Sequence, residues 1–137
     1  GEWEHYVVVY DGTQVVANDR LLIYRNGAIL PNVSYYGTLP TSTPDLGSEP
    51  FYLGRQDGGY WNGNLDNAAL FSDAKDAPYV LSLYNSGKPG DLTGETNLVG
   101  YWQFEEATGT SIVNTKNPGT YDGTITNAYT WSVDVPQ

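Results

Sequence analysis

Sixteen acidic side chains dominate the ionisable chemistry of this chain of 137 residues. Two of them, Glu105 and Glu106, stand side by side in the stretch 100–111, Gly-Tyr-Trp-Gln-Phe-Glu-Glu-Ala-Thr-Gly-Thr-Ser. Three uses are open for them: an acid/base pair, part of a metal site, or a charged strand end that guards a sheet edge. On a strand, neighbours point to opposite faces, so the two would not flank one bond as a hydrolytic carboxylate pair must. Catalysis would need further acids from other strands. There is no cysteine and one histidine, so thiolate chemistry and Cys/His zinc sites are excluded. Calcium, held by oxygen, is the one metal this composition serves. His5 has no Cys, Ser or second His at a suggestive spacing and reads as structural.

The aromatic residues are the second resource. Trp3, Trp61, Trp102 and Trp131 are expected mostly as core anchors. Trp61 is the exception, because Tyr60-Trp61 lies in the Gly/Asn-rich stretch 57–64. Tyr35-Tyr36 sits in a similar loop. Aromatic rings exposed beside Asn and Asp can stack on sugar rings, or anchor a protein neighbour. Tyr35, Tyr36, Tyr60 and Trp61 are therefore the candidate ligand-binding set. Asn32-Val33-Ser34 fits the glycosylation acceptor pattern, which only a eukaryotic secreted source would use.

The elements that must position these groups are short. One domain is expected at this length. Aromatics at 14%, including 12 Tyr, mark a folded chain despite a formal charge of −10. With six Lys plus Arg and no basic stripe, nucleic acid is excluded as a partner, as are anionic membranes. No apolar run reaches the ~18 residues of a membrane span. The chain begins without Met, within an apparent strand motif, as a mature product or fragment would.

His5–Gly12 reads as a strand ending in an Asp-Gly turn. Arg20–Pro31 reads as a hairpin about Asn26-Gly27. Residues 32–50 read as a loop, and Phe51–Arg55 and Gly63–Phe71 as two strands. One helix is expected over 78–86, opened by Pro78 and capped by Gly87. Lys88–Asn97 is the best linker. After it come four strand candidates: 98–106, 111–115, 121–126 and 129–134. Many short strands with closely spaced turns mean an all-β sandwich or barrel.

The run Trp3…Tyr6-Val-Val-Val-Tyr-Asp-Gly12, Leu22-Ile-Tyr-Arg-Asn-Gly27, Tyr52-Leu-Gly-Arg55, Gly59-Tyr-Trp-Asn-Gly-Asn-Leu-Asp-Asn-Ala-Ala-Leu-Phe71 and Leu83-Tyr-Asn-Ser-Gly87 resembles the laminin-G-like domains of the concanavalin A-like lectin/glucanase superfamily. So does Leu98–Gly109 followed by Asn117–Asn127. The resemblance implies an antiparallel jelly-roll β-sandwich, often with calcium at one rim, in an extracellular or surface-exposed binding module. It places 98–106 beside 64–71, which would gather Asp66, Glu105 or Glu106, and Asp122 with turn carbonyls as a calcium set. The Glu-x-Asp-x-x-Glu strand of the superfamily's glucanases does not occur, so no enzyme is expected.

The two blocks stand in reversed order, and the family's middle strands are missing. Residues 1–87 thus correspond to the C-terminal part of such a sandwich, 88–97 to a linker, and 98–137 to opening strands, either of a next repeat or of a permuted domain. Tandem arrays of this kind resemble surface and fibre proteins of bacteria and their viruses. The expected role is adhesion or structural attachment outside the cell or on a virion. A carbohydrate-binding module of a secreted polysaccharide-active enzyme is the alternative. Open sheet edges should make neighbouring chains or domains of the same assembly the partners.

Overall fold

Asn26-Gly27 forms the tight turn its sequence predicts, with both residues at positive φ (52° and 77°). In the computed structural model, which describes residues 1–45, 47–56 and 58–136, this turn joins strands β2 (Leu21–Arg25) and β3 (Ala28–Ile29). Strand β1 (Tyr6–Tyr10) pairs antiparallel with β2, Tyr6 opposite Arg25 and Tyr10 opposite Leu21. The β1–β2 connection is stiffened locally. Asp11 accepts hydrogen bonds from the Thr13 amide (3.0 Å), the Thr13 hydroxyl (2.6 Å) and the Gln14 amide group (2.6 Å). Arg20 donates to the carbonyls of Gln14 and Leu39, tying the following loop to the sheet.

Alternation in β1 and β2 sends Val7, Val9, Leu22 and Tyr24 to one face. Helix α1 (Ala77–Tyr84) covers it, with Val80 fully buried against Val9 and Tyr24. The helix starts where Asp76 caps the Tyr79 amide at 2.9 Å, with Pro78 in its first turn. It ends two residues earlier than the glycine implied. Asn85 takes the left-handed conformation and returns its amide to the Leu81 carbonyl, so Asn85 and not Gly87 is the cap. The turn and the helix touch: a Cβ on Gly27 would stand 2.7 Å from Leu81 Cδ1.

The middle of the chain is less regular than its sequence. Strands β4 (Arg55–Gln56) and β5 (Gly59–Tyr60) make a two-stranded hairpin that pairs with no other strand among the described residues. Phe51, Tyr52 and Leu53 are exposed and outside any strand. Of Gly63–Phe71 only Ala68–Phe71, β6, is extended, because Asn67 adopts positive φ just before it.

Strand β6 pairs with β7 (Leu98–Trp102), Ala69 opposite Tyr101. One sheet therefore joins the two sequence blocks, and 88–97 is the last part of the connection between its two strands, after α1. That segment is held on both sides. Lys75 donates to the Thr96 carbonyl, Lys116 to the carbonyls of Thr93 and Glu95, and the Tyr79 hydroxyl to Glu95. The Lys75 ammonium also lies over the rings of Phe71 (4.5 Å) and Tyr79 (4.7 Å).

Strands β8 (Ser111–Ile112) and β9 (Gly123–Thr124) form the last small sheet. Residues 129–134, expected as a strand, are irregular. Trp102 alone of the four tryptophans is buried. Trp3 and Trp131 are half-buried, their indoles donating to Asp134 and to the Gly109 carbonyl. Among the described residues the architecture is thus one three-stranded and three two-stranded antiparallel sheets with one short α-helix.

Candidate functional site

The pair that opened the question does not sit on a strand. Strand β7 stops at Trp102, and Phe104 and Ala107 take positive φ (58° and 57°), which turns the chain on either side of Glu105 and Glu106. The two carboxylates reach different places. Glu106 accepts a hydrogen bond from the Val113 amide at 2.8 Å, and its second oxygen is buried without a partner among the described residues. Glu105 lines a cleft of about 220 Å³ together with Asp66, Asp91, Gln103 and Tyr101. They form no facing acid/base pair.

The cleft is built from the joint between the two blocks. Tyr101 on β7 crosses β6, and its hydroxyl lies within hydrogen-bonding distance of Asn67 Oδ1 (2.8 Å) and the Gly90 carbonyl (2.9 Å). Among the described residues Asp66 accepts only from its neighbour, the Asn67 amide, at 3.1 Å. Burial pushes the Asp66 carboxyl up, and the Glu105 charge adds to this. Burial likewise raises the Tyr101 phenol, reinforced by the charges of Asp91, Asp66 and Glu105. Asp91 is held down instead, because the Thr93 amide and hydroxyl donate to it at 2.9 and 2.8 Å. Three acids thus converge on one phenol with no cation among them, and the gap would gain from a positive charge.

Asp122 is elsewhere. Its carboxylate accepts from the Asn114 amide (2.9 Å) and from the Gly119 amide (3.2 Å to each oxygen), closing the 117–122 turn. The four carboxylates expected around calcium therefore divide: Asp66 and Glu105 meet, while Glu106 and Asp122 hold backbone amides of the β8–β9 region. Among the described residues, no group of three or more His, Asp and Glu is arranged to hold a metal ion. The four carboxylates are not gathered at one point. A calcium in the cleft would rest on Asp66 and Glu105, with carbonyls and water completing the 6–8 oxygens it needs.

Asn114 went unread in the sequence. It is fully buried and its side chain is saturated. Oδ1 accepts from the amides of Tyr101 (2.9 Å) and Lys116 (3.2 Å), and Nδ2 donates to the carbonyls of Thr120 (2.8 Å) and Val99 (3.4 Å). Asn114 therefore fixes β7, and with it the Tyr101 phenol, against the β8–β9 hairpin. Asp91 was missed as well. Its Asp-Leu-Thr repeats the Asp-Gly-Thr turn at Asp11, which was the available signal.

The aromatic candidates also divide. Tyr36 and Tyr60 are exposed, and Trp61 is 63% exposed. Tyr35 is half-buried, its hydroxyl donating to the Leu21 carbonyl. The Trp61 indole folds over Gly63, where a Cβ would come within 2.6 Å of its Nε1. Tyr60 and Trp61 project from the β4–β5 hairpin, whose Arg55 guanidinium lies 4.6 Å from the Tyr52 ring centroid. Tyr35 and Tyr36 belong to the loop after β3.

A short hairpin with an Asn-Gly turn, a covering helix and small antiparallel sheets define a β-rich class of fold. Residues 1–80, more than half the chain, match the family model of the concanavalin A-like lectin/glucanases superfamily, laminin G type. The chain belongs to this family. The match spans β1 to β6 and ends inside α1, so the resemblance of 98–137 rests on its residues alone. No curated protein and no solved structure matches the chain.

Proposed function

We propose that this chain is a non-enzymatic attachment module of laminin-G-like type, working in an assembly outside the cell or on a virion surface. It completes a jelly-roll sandwich with surfaces supplied by neighbouring chains or domains. One observation carries the reading. The chain exposes 9912 Å², whereas a folded monomer of 15.0 kDa exposes roughly 7,000 Å². The excess includes large apolar side chains on strands and loops: Tyr6, Val8, Phe51, Tyr52, Tyr60 and Trp61. Scattered apolar residues are normal on a surface, and it is this much uncovered area that supports a role in contact with neighbours. The separation of Glu105 from Glu106 supports the absence of hydrolysis.

A carbohydrate-binding role is the second reading, favoured by the exposed Tyr60-Trp61 pair. A glycan array with the wild type and Trp61→Ala separates the two. The attachment reading expects no glycan class bound at micromolar affinity. Micromolar binding to one class, lost in Trp61→Ala, would replace it with the carbohydrate reading. Release of reducing ends from laminarin, agar or xylan, abolished by Glu105→Gln, would overturn both.

A further inference from the structure

Strand β1 is an edge. The sheet order is β1-β2-β3, and among the described residues no strand lies on the outer side of β1. The phase of its ladder is fixed by the Asp11 amide donating to the Arg20 carbonyl and the Asn26 amide donating to the His5 carbonyl, both at 2.8 Å. In an antiparallel ladder every second residue bonds to the partner strand. Odd-numbered residues therefore face β2, and Tyr6, Val8 and Tyr10 turn their amides and carbonyls outward.

Edges of this kind are normally blunted by lysine, proline or a bulge. Strand β1 has none of these. Its sequence, Tyr-Val-Val-Val-Tyr, is instead a palindrome centred on Val8, one of the outward-bonding residues. Tyr6 and Val8 are also 53% and 62% exposed on the face away from α1.

We infer that β1 pairs antiparallel with β1 of a second copy, across a two-fold axis at Val8, making one continuous six-stranded sheet. This rests on the attachment reading and names its partner. Val8 meets Val8 of the second copy, Tyr6 meets Tyr10, and Val7 meets Val9, so every position finds a like side chain on both faces. At the ends Glu4 meets Gly12 and His5 meets Asp11, and no like charges oppose. A palindrome centred on a bond between residues would set outward-bonding residues against inward-bonding ones and lose the hydrogen bonds. Surface is not limiting, since a standard interface takes about 800 Å² from each partner, well below the excess already noted.

The test is light scattering on the whole chain at micromolar concentration, with three variants. The wild type should weigh twice 15.0 kDa. Val8→Lys sets two ammonium groups against each other at the axis and should raise the dissociation constant roughly tenfold or more. Its circular dichroism should stay unchanged, because Val8 lies outside the α1 core. The chain has no cysteine, so Val8→Cys should cross-link to a dimer on mild oxidation. The paired Cα atoms would stand about 5.5 Å apart, within disulfide reach. Val16→Cys, exposed but outside the strand, should remain uncross-linked. A monomeric wild type, a dimer that survives Val8→Lys, or equal cross-linking at positions 8 and 16 would overturn the proposal. The glycan array reads the attachment module independently, so failure of the dimer and failure of the module are distinguishable.

Discussion

Replacing Asn114 by Ala removes the buried amide group that joins the two halves of the second block. Four hydrogen bonds go with it, but they do not count equally. Lys116 and Thr120 are exposed enough for water to take over the bonds they lose. The Tyr101 amide belongs to a residue only 1% exposed, so that N–H would be left unpaired in the interior. An orphaned buried donor costs about 1–3 kcal/mol, and the lost bonds add a fraction of that. The expected total is about 3 kcal/mol, equivalent to a fall of roughly 10 °C in melting temperature for a domain of this size. Thermal unfolding followed by circular dichroism gives the magnitude, and hydrogen exchange at the Tyr101 amide gives the location. A companion Asn114→Asp keeps the acceptor but puts a carboxylate against the Thr120 carbonyl. Burial raises that carboxyl, so its deficit should shrink as the pH falls and the group is protonated. If Asn114→Ala melted within about 2 °C of the wild type, with the Tyr101 amide still protected, the hub would be no hub.

Gly100→Ala should cost about 1–3 kcal/mol by overpacking, since its Cβ would stand 2.4 Å from the Trp102 ring. The near-ultraviolet signal of Trp102 should change with it, and an unperturbed spectrum and melt would contradict the contact. Asp66→Asn should stabilise the chain at neutral pH without divalent cations. The folded carboxyl is raised above its unfolded value of 3.8, so the wild type recovers that stability as the pH falls through the folded value. The advantage of the variant should vanish below the unfolded one. Millimolar calcium should raise the melting point of the wild type, by about 2.7 kcal/mol of stability at a hundred times its dissociation constant, and leave Asp66→Asn unmoved. Superimposable wild-type melts in calcium and in chelator would remove the cleft as a cation site.

The parts of the fold legible in the sequence are those fixed within a few residues. Asn26-Gly27 demands a tight turn, and Pro78 marks a helix start, whatever the rest of the chain does. Phe51-Tyr52-Leu53 has strand-forming residues, but a strand exists only when another supplies hydrogen bonds, and none reaches it. The end of β7 was illegible for a related reason: nothing in Gln-Phe-Glu-Glu announces that Phe104 will take positive φ. That single torsion moved Glu105 and Glu106 off the strand on which their roles had been weighed. Asp66 and Glu105 line one cleft. Asp122 does not, because backbone amides three and eight residues upstream hold its carboxylate. Asn114 was invisible because the partners of its side chain lie up to 15 residues away and are all backbone groups.

The six cations of the chain are used in an unusual way. Arg20, Lys75 and Lys116 bind backbone carbonyls, and Arg55 faces a tyrosine ring. Among the described residues only Arg25 and Lys75 form ion pairs, with Glu4 and Asp73. Most of the sixteen acids are therefore left to repel one another, and the formal charge of −10 spreads over the surface nearly unneutralised. Self-repulsion of this kind works against the compact state and against the meeting of two copies alike. Ionic strength then acts opposite to its usual role with salt bridges. Added salt has few attractions to weaken and much repulsion to screen, so brine favours both the folded chain and its assembly.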